Sequence, residues 1–205
     1  NFLNSQSYST NLVDIMIIDL RKDILDLRSK IRKSYKSSIN KEEKKIEILF
    51  SNNEKNIEKV FIDWKNIYSA AISRGGKKIS ELDFNFLKEA LIKKQCFISM
   101  GYEKNEVLGG MLFSIYSDYI FYASSVRTPK IEIDKKRSIH HCLMWSSIVE
   151  LKKKYRFLEL GAFYKLIDQN DKLNEWSILE EKFNKFKLGF NPDIVKTIYF
   201  YKKIN

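Results

Sequence analysis

A chain of 205 residues, 44% hydrophobic and 14% aromatic, buries a core without disulfide staples, which excludes a disordered chain or a disulfide scaffold. With 37 basic against 26 acidic residues it carries a formal charge of +11, pointing to an anionic partner such as nucleic acid, a nucleotide, phosphorylated lipid or a membrane surface without choosing among them. No apolar run approaches the ~20 residues of a bilayer span and no secretory leader is visible, so the sequence reads as one soluble, cytoplasmic domain over residues 1–205, or part of a longer chain, with at most peripheral membrane contact.

Asp19 is read as the cap of a helix starting at Leu20, because Leu20, Ile24, Leu27, Ile31 and Tyr35 recur at spacings of three and four. Arg21, Arg28, Arg32 and Lys36 then fall on another face of that single helix. Such a stripe is either an ordinary solvated face or a track for nucleic-acid or other phosphates. "IEILF" (46–50) reads as a strand. A helix from about Glu54 to Ser73 follows, with Ile57, Val60, Phe61, Trp64, Tyr68 and Ala71 inward, stopped by Gly75-Gly76. Ser80 and Asp83 form a capping box for a third helix, whose inner face is read as Phe86, Leu87, Ala90 and Leu91.

"CFISMGY", "VLGGMLFSIY" and "YIFYASSV" are β-branched and aromatic runs parted by short turns, the pattern of an antiparallel meander. Gly109-Gly110 in the middle run signals a bulge or a close backbone approach. Helical spacing returns through Ile139, Leu143, Ser146 and Val149. "RFLELGA" has the apolar texture of a buried parallel strand. A helix over about 172–188 is predicted to face Trp176, Leu179, Phe183 and Phe186 inward, and "TIYFYKK" closes the chain as a strand. The order predicts an α+β domain with a mixed central sheet flanked by helices, the third meander strand running parallel to "FLELGA".

No Walker loop, GxGxxG after a strand, GxSxG elbow or zinc spacing is present. Cys96 and Cys142 sit in separate apolar runs and read as buried thiols. His140 and His141 are the only histidines, too few for a histidine-dense metal site; one is expected to be exposed and the other packed. Glu159, inside "FLELGA", is either a carboxylate raised by burial to act as a base or one paired with a nearby cation. Arg127, at the end of the third meander strand, is either a bidentate anion contact or a loop arginine. Lys187, between Phe186 and Phe190, either snorkels to solvent or is held near chemistry.

Taken in order, Tyr122-Ala123-Ser124-Ser125 at a strand end, Trp145 in the next helix, "LELG", and Phe186-Lys187 with Gly189-Phe190 resemble the FemAB-like branch of the GNAT acyltransferases. The basic 20–41 helix resembles the helix that opens that family's domain, and the likeness covers about residues 14–203. The resemblance implies a GNAT-like fold and transfer of an acyl or aminoacyl group to an amine. It implies acyl-CoA or aminoacyl-tRNA as co-substrate, with no tightly bound cofactor or metal. The acceptor it implies is an amine-bearing small molecule or cell-wall precursor. On that basis Lys187 and Glu159 are the catalytic candidates; Phe186, Arg127, Tyr122 and His141 are the substrate-binding ones. Two departures stand out: family members with a tRNA donor carry two such domains, and "RTPKIEIDKKRS" lacks a Gly-rich pyrophosphate loop. The alternative is a non-catalytic module of this fold that binds tRNA or another polyanion.

Overall fold

The computed structural model describes residues 8–74, 76, 80–133, 137–163 and 175–202. It opens on β1 (Tyr8–Asp19), a strand whose spacing does not announce itself. Ile15 and Met16, successive residues that point to opposite faces, are both buried, so the "VDIMII" half does not alternate. The chain then turns, and Asp23, not Asp19, caps α1 (Ile24–Lys30) by accepting from the Leu25 and Asp26 amides. Ile31 is extended (ψ 138°), and α2 (Lys33–Glu42) starts afresh. The single 20–41 helix is therefore two helices. Their junction is held by the Arg32 amide, which donates to the Gly189 carbonyl at 2.9 Å.

β2 (Glu47–Phe50) is followed by α3 (Glu54–Arg74) and α4 (Glu81–Ile92), the latter opened by a complete Ser80–Asp83 capping box. Phe84 and Leu91 are the buried residues of α4 and Leu87 and Ala90 pack beside them, while Phe86, expected on the same inner face, is 60% exposed. At 100° per residue Phe86 lies across the helix from Phe84. β3 (Cys96–Glu103), β4 (Glu106–Tyr116) and β5 (Tyr119–Arg127) pair antiparallel in sequence. The glycine pair answers close packing: a Cβ on Gly110 would stand 2.3 Å from the Met100 sulfur, and one on Gly109 2.6 Å from the Val126 carbonyl oxygen.

A short α5 (Pro129–Ile133) leads to α6 (Ile139–Leu151), buried nearly all round. Ile139 and Leu143 of the spacing read in the sequence are buried, together with Cys142, Met144, Trp145 and Ser147, while Val149 at its end is exposed. β6 (Phe157–Ala162), α7 (Glu175–Leu188) and β7 (Asp193–Lys202) complete the chain.

The seven strands form one mixed sheet in the order β2-β3-β4-β5-β6-β1-β7. β5 and β6 run parallel through the α6 crossover, while β6 is antiparallel to β1. Alternate residues of β3 enter different apolar clusters. Phe97 joins Met16, Leu143, Leu158 and Phe190 beneath α2 and α6; Ile98, Met100 and Tyr102 join Trp64, Phe84 and Leu91 beneath α3 and α4. Both cysteines are free and buried. Among the described residues no helix is long and apolar enough to cross a membrane.

Candidate functional site

The parallel rungs of β5 and β6 run from Tyr119↔Phe157 to Phe121↔Glu159 and stop there, although β5 continues to Arg127 and β6 to Ala162. The strands part after Phe121, and the ladder to β4 slips one place just beyond, between its Leu112 and Phe113 rungs. A gap between parallel strands at their C-terminal ends is where open sheets admit ligands. A cleft of about 460 Å³ opens on the β5 side of the sheet, walled by Tyr122, Ser125 and Arg127 of β5, residues 137–141 at the start of α6, and Lys182, Phe183 and Phe186 of α7. Four residues singled out in the sequence, Tyr122, Arg127, His141 and Phe186, meet in this one cleft.

Ring stacking sets its wall. His141 stacks on Tyr35 at 3.7 Å and on Phe186 at 5.6 Å between centroids. The His140 Nε2 lies 3.3 Å from the Val126 carbonyl. Neither histidine is the exposed one expected: burial pushes both down to about 4, with the Arg127 and His141 charges acting on His140 and that of Arg32 on His141. Burial also pushes the Tyr122 phenol up to about 12, against a hydrogen bond with Ser125. The His141 Nδ1 is buried without a hydrogen-bond partner among the described residues.

Tyr35, read in the sequence only as an apolar-face residue, is the pivot. Its hydroxyl donates to the Lys185 carbonyl at 3.0 Å, and its ring packs on Phe190 at 5.6 Å. A Cβ on Gly189 would stand 1.9 Å from that ring. The glycine after Lys187 is thus dictated by an aromatic ring from α2. Gly189→Ala is expected to lower stability by about 1–3 kcal/mol, as overpacking does. Urea denaturation measures the loss, and an unchanged midpoint would contradict this packing. In the same helix Phe183 is 52% exposed at the cleft mouth, not inward-facing. The side chains of Trp176 and Leu179 lie outside the described residues.

Lys187 and Glu159 do not line the cleft; Glu159 sits on the last β5–β6 rung, and Lys187 reaches toward Gly161 of the same strand. Glu159 is 6% exposed and accepts a hydrogen bond from the Tyr119 hydroxyl. Gly161, two residues on, has φ +89°, and the Lys187 Nζ lies 3.3 Å from where its Cβ would be. Burial lowers the Lys187 ammonium below the ordinary lysine range, partly opposed by the Glu159 charge. One wall of the cleft is tied down by an ion pair. Arg137 donates to Glu42 at 2.6 Å and to Glu103 at 2.8 Å, joining the loop before α6 to α2 and β3.

The basic stripe does not survive the break between α1 and α2. Arg21 precedes the helix and pairs with Asp19 at 2.8 Å. Arg28 lies 4.7 Å over the Trp145 ring and 3.7 Å from Glu43. Arg32 lies over Tyr35, and the Lys36 Nζ donates to the Ser29 carbonyl at 2.9 Å. No continuous helix joins these four cations.

No family model matches the chain, and no curated protein matches it. Solved structures do. A C-terminal domain assigned to a lysylphosphatidylglycerol synthetase of Agrobacterium fabrum matches with TM-score 0.62 and 11% identity, over 96% of this chain and 61% of that one. FemX matches at 0.64 and 9% identity, over 92% and 61%. L-PGS from Bacillus licheniformis matches at 0.59 and 11% identity, over 98% and 64%. The chain thus spans about three fifths of the length of these structures. At this identity the likeness is one of fold.

Proposed function

We propose that the protein transfers an acyl or aminoacyl group from an activated donor to an amine. The observation that carries this is the parting of β5 and β6, with Glu159 at the last paired rung, the Lys187 Nζ near Gly161, and a cleft of about 460 Å³ on the β5 side. The acceptor nitrogen attacks the donor carbonyl: a C–N bond forms, the C–S or C–O bond to the carrier breaks, and the amine gives up a proton. Lys187 stabilises the oxyanion or the donor phosphate, and Glu159, or water, takes the proton. Arg127 and Lys182 stand on the cleft wall where a donor phosphate would need cations. The donor is acyl-CoA or aminoacyl-tRNA. The acceptor is an amine-bearing small molecule or cell-wall precursor, which would place the reaction in cell-envelope or surface-polymer synthesis; the names of the structurally similar proteins support this reading.

The test is turnover with acetyl-CoA and with aminoacyl-tRNA against a panel of amines. Lys187→Ala is expected to lower kcat about a hundredfold, the scale of losing one oxyanion donor. Wild-type turnover in that variant would remove Lys187 from the chemistry. No turnover with any donor, together with salt-sensitive tRNA binding, would favour a polyanion-binding module.

A further inference from the structure

β6 carries an extra residue where it runs beside β1. Ile17 stands opposite Glu159 and Met16 opposite Gly161, so Leu160 has no rung in that ladder. Such a bulge bends its strand, and Gly161 follows it at φ +89°, an angle that side-chain-bearing residues rarely take. The same glycine meets a second demand. A Cβ there would stand 3.3 Å from the Lys187 Nζ and 3.8 Å from the Phe121 ring carbon Cε2. Phe121 is the β5 half of the last parallel rung, opposite Glu159. The ammonium therefore stands in room, beside the parting strands, that any side chain at 161 would contest.

Backbone movement does not relieve that contest. Gly161 is paired with Met16, which is wholly buried. The end of α7 is held by the Gly189 carbonyl, which accepts from the Arg32 amide at 2.9 Å, and by Phe190, which is buried in the core. The part free to yield is the Lys187 side chain. Among the described residues no hydrogen bond or ion pair anchors its ammonium; the Glu159 charge of β6 acts on it electrostatically. On α7 itself Lys185 pairs with Glu181, and Lys182 lies on the cleft wall. We propose that Gly161 is a positioning residue: its missing side chain leaves the room in which the Lys187 ammonium stands beside the last β5–β6 rung, and filling that room drives the ammonium outward. The purpose of this room rests on the transferase reading, but the packing that makes it does not.

The experiment needs no substrate. The intact protein is trace-labelled with acetic anhydride between about pH 7 and pH 11, a range that spans the ordinary lysine value. It is then unfolded and labelled to completion with the deuterated reagent. Peptide mass spectrometry reads the titration of Lys187 apart from the other lysines. Burial lowers this ammonium, so an outward move restores it toward the ordinary range. In Gly161→Ala, Lys187 is expected to titrate higher, with up to about a tenfold smaller free-amine fraction at a fixed pH, as one pKa unit implies. Should that variant fold poorly, Gly161→Asn takes positive φ more readily and must move the titration in the same direction. An unmoved or lowered titration overturns the proposal. Gly76→Ala supplies the control, because Gly76 has φ +72° and nothing within 4 Å of its Cβ position. It strains the backbone without displacing a neighbour, and it is expected to leave Lys187 where it was. An equal shift there would assign the effect to strain and overturn the proposal as well. Turnover is not the readout, so failure here leaves the transferase reading standing, and failed turnover leaves the Gly161 result standing.

Discussion

Arg137→Ala lowers the unfolding free energy by about 3–5 kcal/mol, the usual result of removing one partner from a buried ion pair. Glu42 is 1% exposed, and its carboxylate takes two guanidinium contacts, at 3.2 and 2.6 Å. Arg137 is the cation that the described residues place on it. Glu103 is half-buried and shares the same guanidinium, which is raised well above the ordinary arginine range chiefly by its hydrogen bond to Glu42. Truncating the arginine leaves a carboxylate sealed from water, and the cost comes from that stranded charge more than from lost attraction. The double variant Arg137→Met with Glu42→Leu is accordingly expected to recover much of the loss. Urea midpoints of the three proteins test this. An Arg137→Ala protein within 0.5 kcal/mol of wild type would mean that the triad does not hold the loop. The consequence reaches the site, because Arg137 fixes residues 137–141, and these form one wall of the cleft. A thermal shift on adding acetyl-CoA should shrink in the same variant if the cleft is the donor site.

The parts of the fold legible in the sequence were those governed by local physics. The Ser80–Asp83 capping box, the glycine pair of β4 and the long helix from Glu54 obey rules contained within a few residues. β1 was not legible, because successive residues such as Ile15 and Met16 are both buried and the alternation that marks a half-buried strand is lost. The break at Ile31 was hidden for a similar reason. Apolar spacing carries on through it, and what decides it is the Gly189 carbonyl, more than 150 residues away. The cleft shows the same division. Tyr122 and Phe186 were named from motif likeness, Arg127 from its place at a strand end and His141 as one of two histidines, and their meeting in one cleft is a matter of topology. Tyr35 and Tyr119 gave no sequence signal. Each acts through a ring or hydroxyl that reaches another element, and periodicity records only the face a residue occupies.

Lowering the pH from 7 to 4 removes about 3–5 kcal/mol of stability through two adjacent histidines. Both His140 and His141 sit at about 4 in the folded protein, against an ordinary value near 6.5, because burial penalises the imidazolium. The folded pKa is therefore depressed. Between those values the unfolded chain binds protons that the folded chain refuses, so stability rises with pH across the window. The contribution is whole above about 6.5 and is gone once the pH falls through about 4. The figure is below the full linkage sum because His141 keeps partial contact with solvent. Asp19 does not confuse the window: its hydrogen bond to the Arg21 side chain lowers it to about 2, so its own contribution is lost only below the ordinary carboxylate value of 3.8. Protonating His141 also charges a ring stacked on Tyr35 and Phe186, on the contact where α2, α6 and α7 meet. Near-UV circular dichroism from these rings should fade before far-UV signal is lost, because the cleft wall loosens first. Urea midpoints at pH 7, 6 and 5 measure the slope, and His140→Gln with His141→Phe should flatten it. A wild-type midpoint that stays level between pH 7 and 5 would mean that the two imidazoles are wetter than the packing of Tyr35, Phe186 and Phe190 around His141 implies.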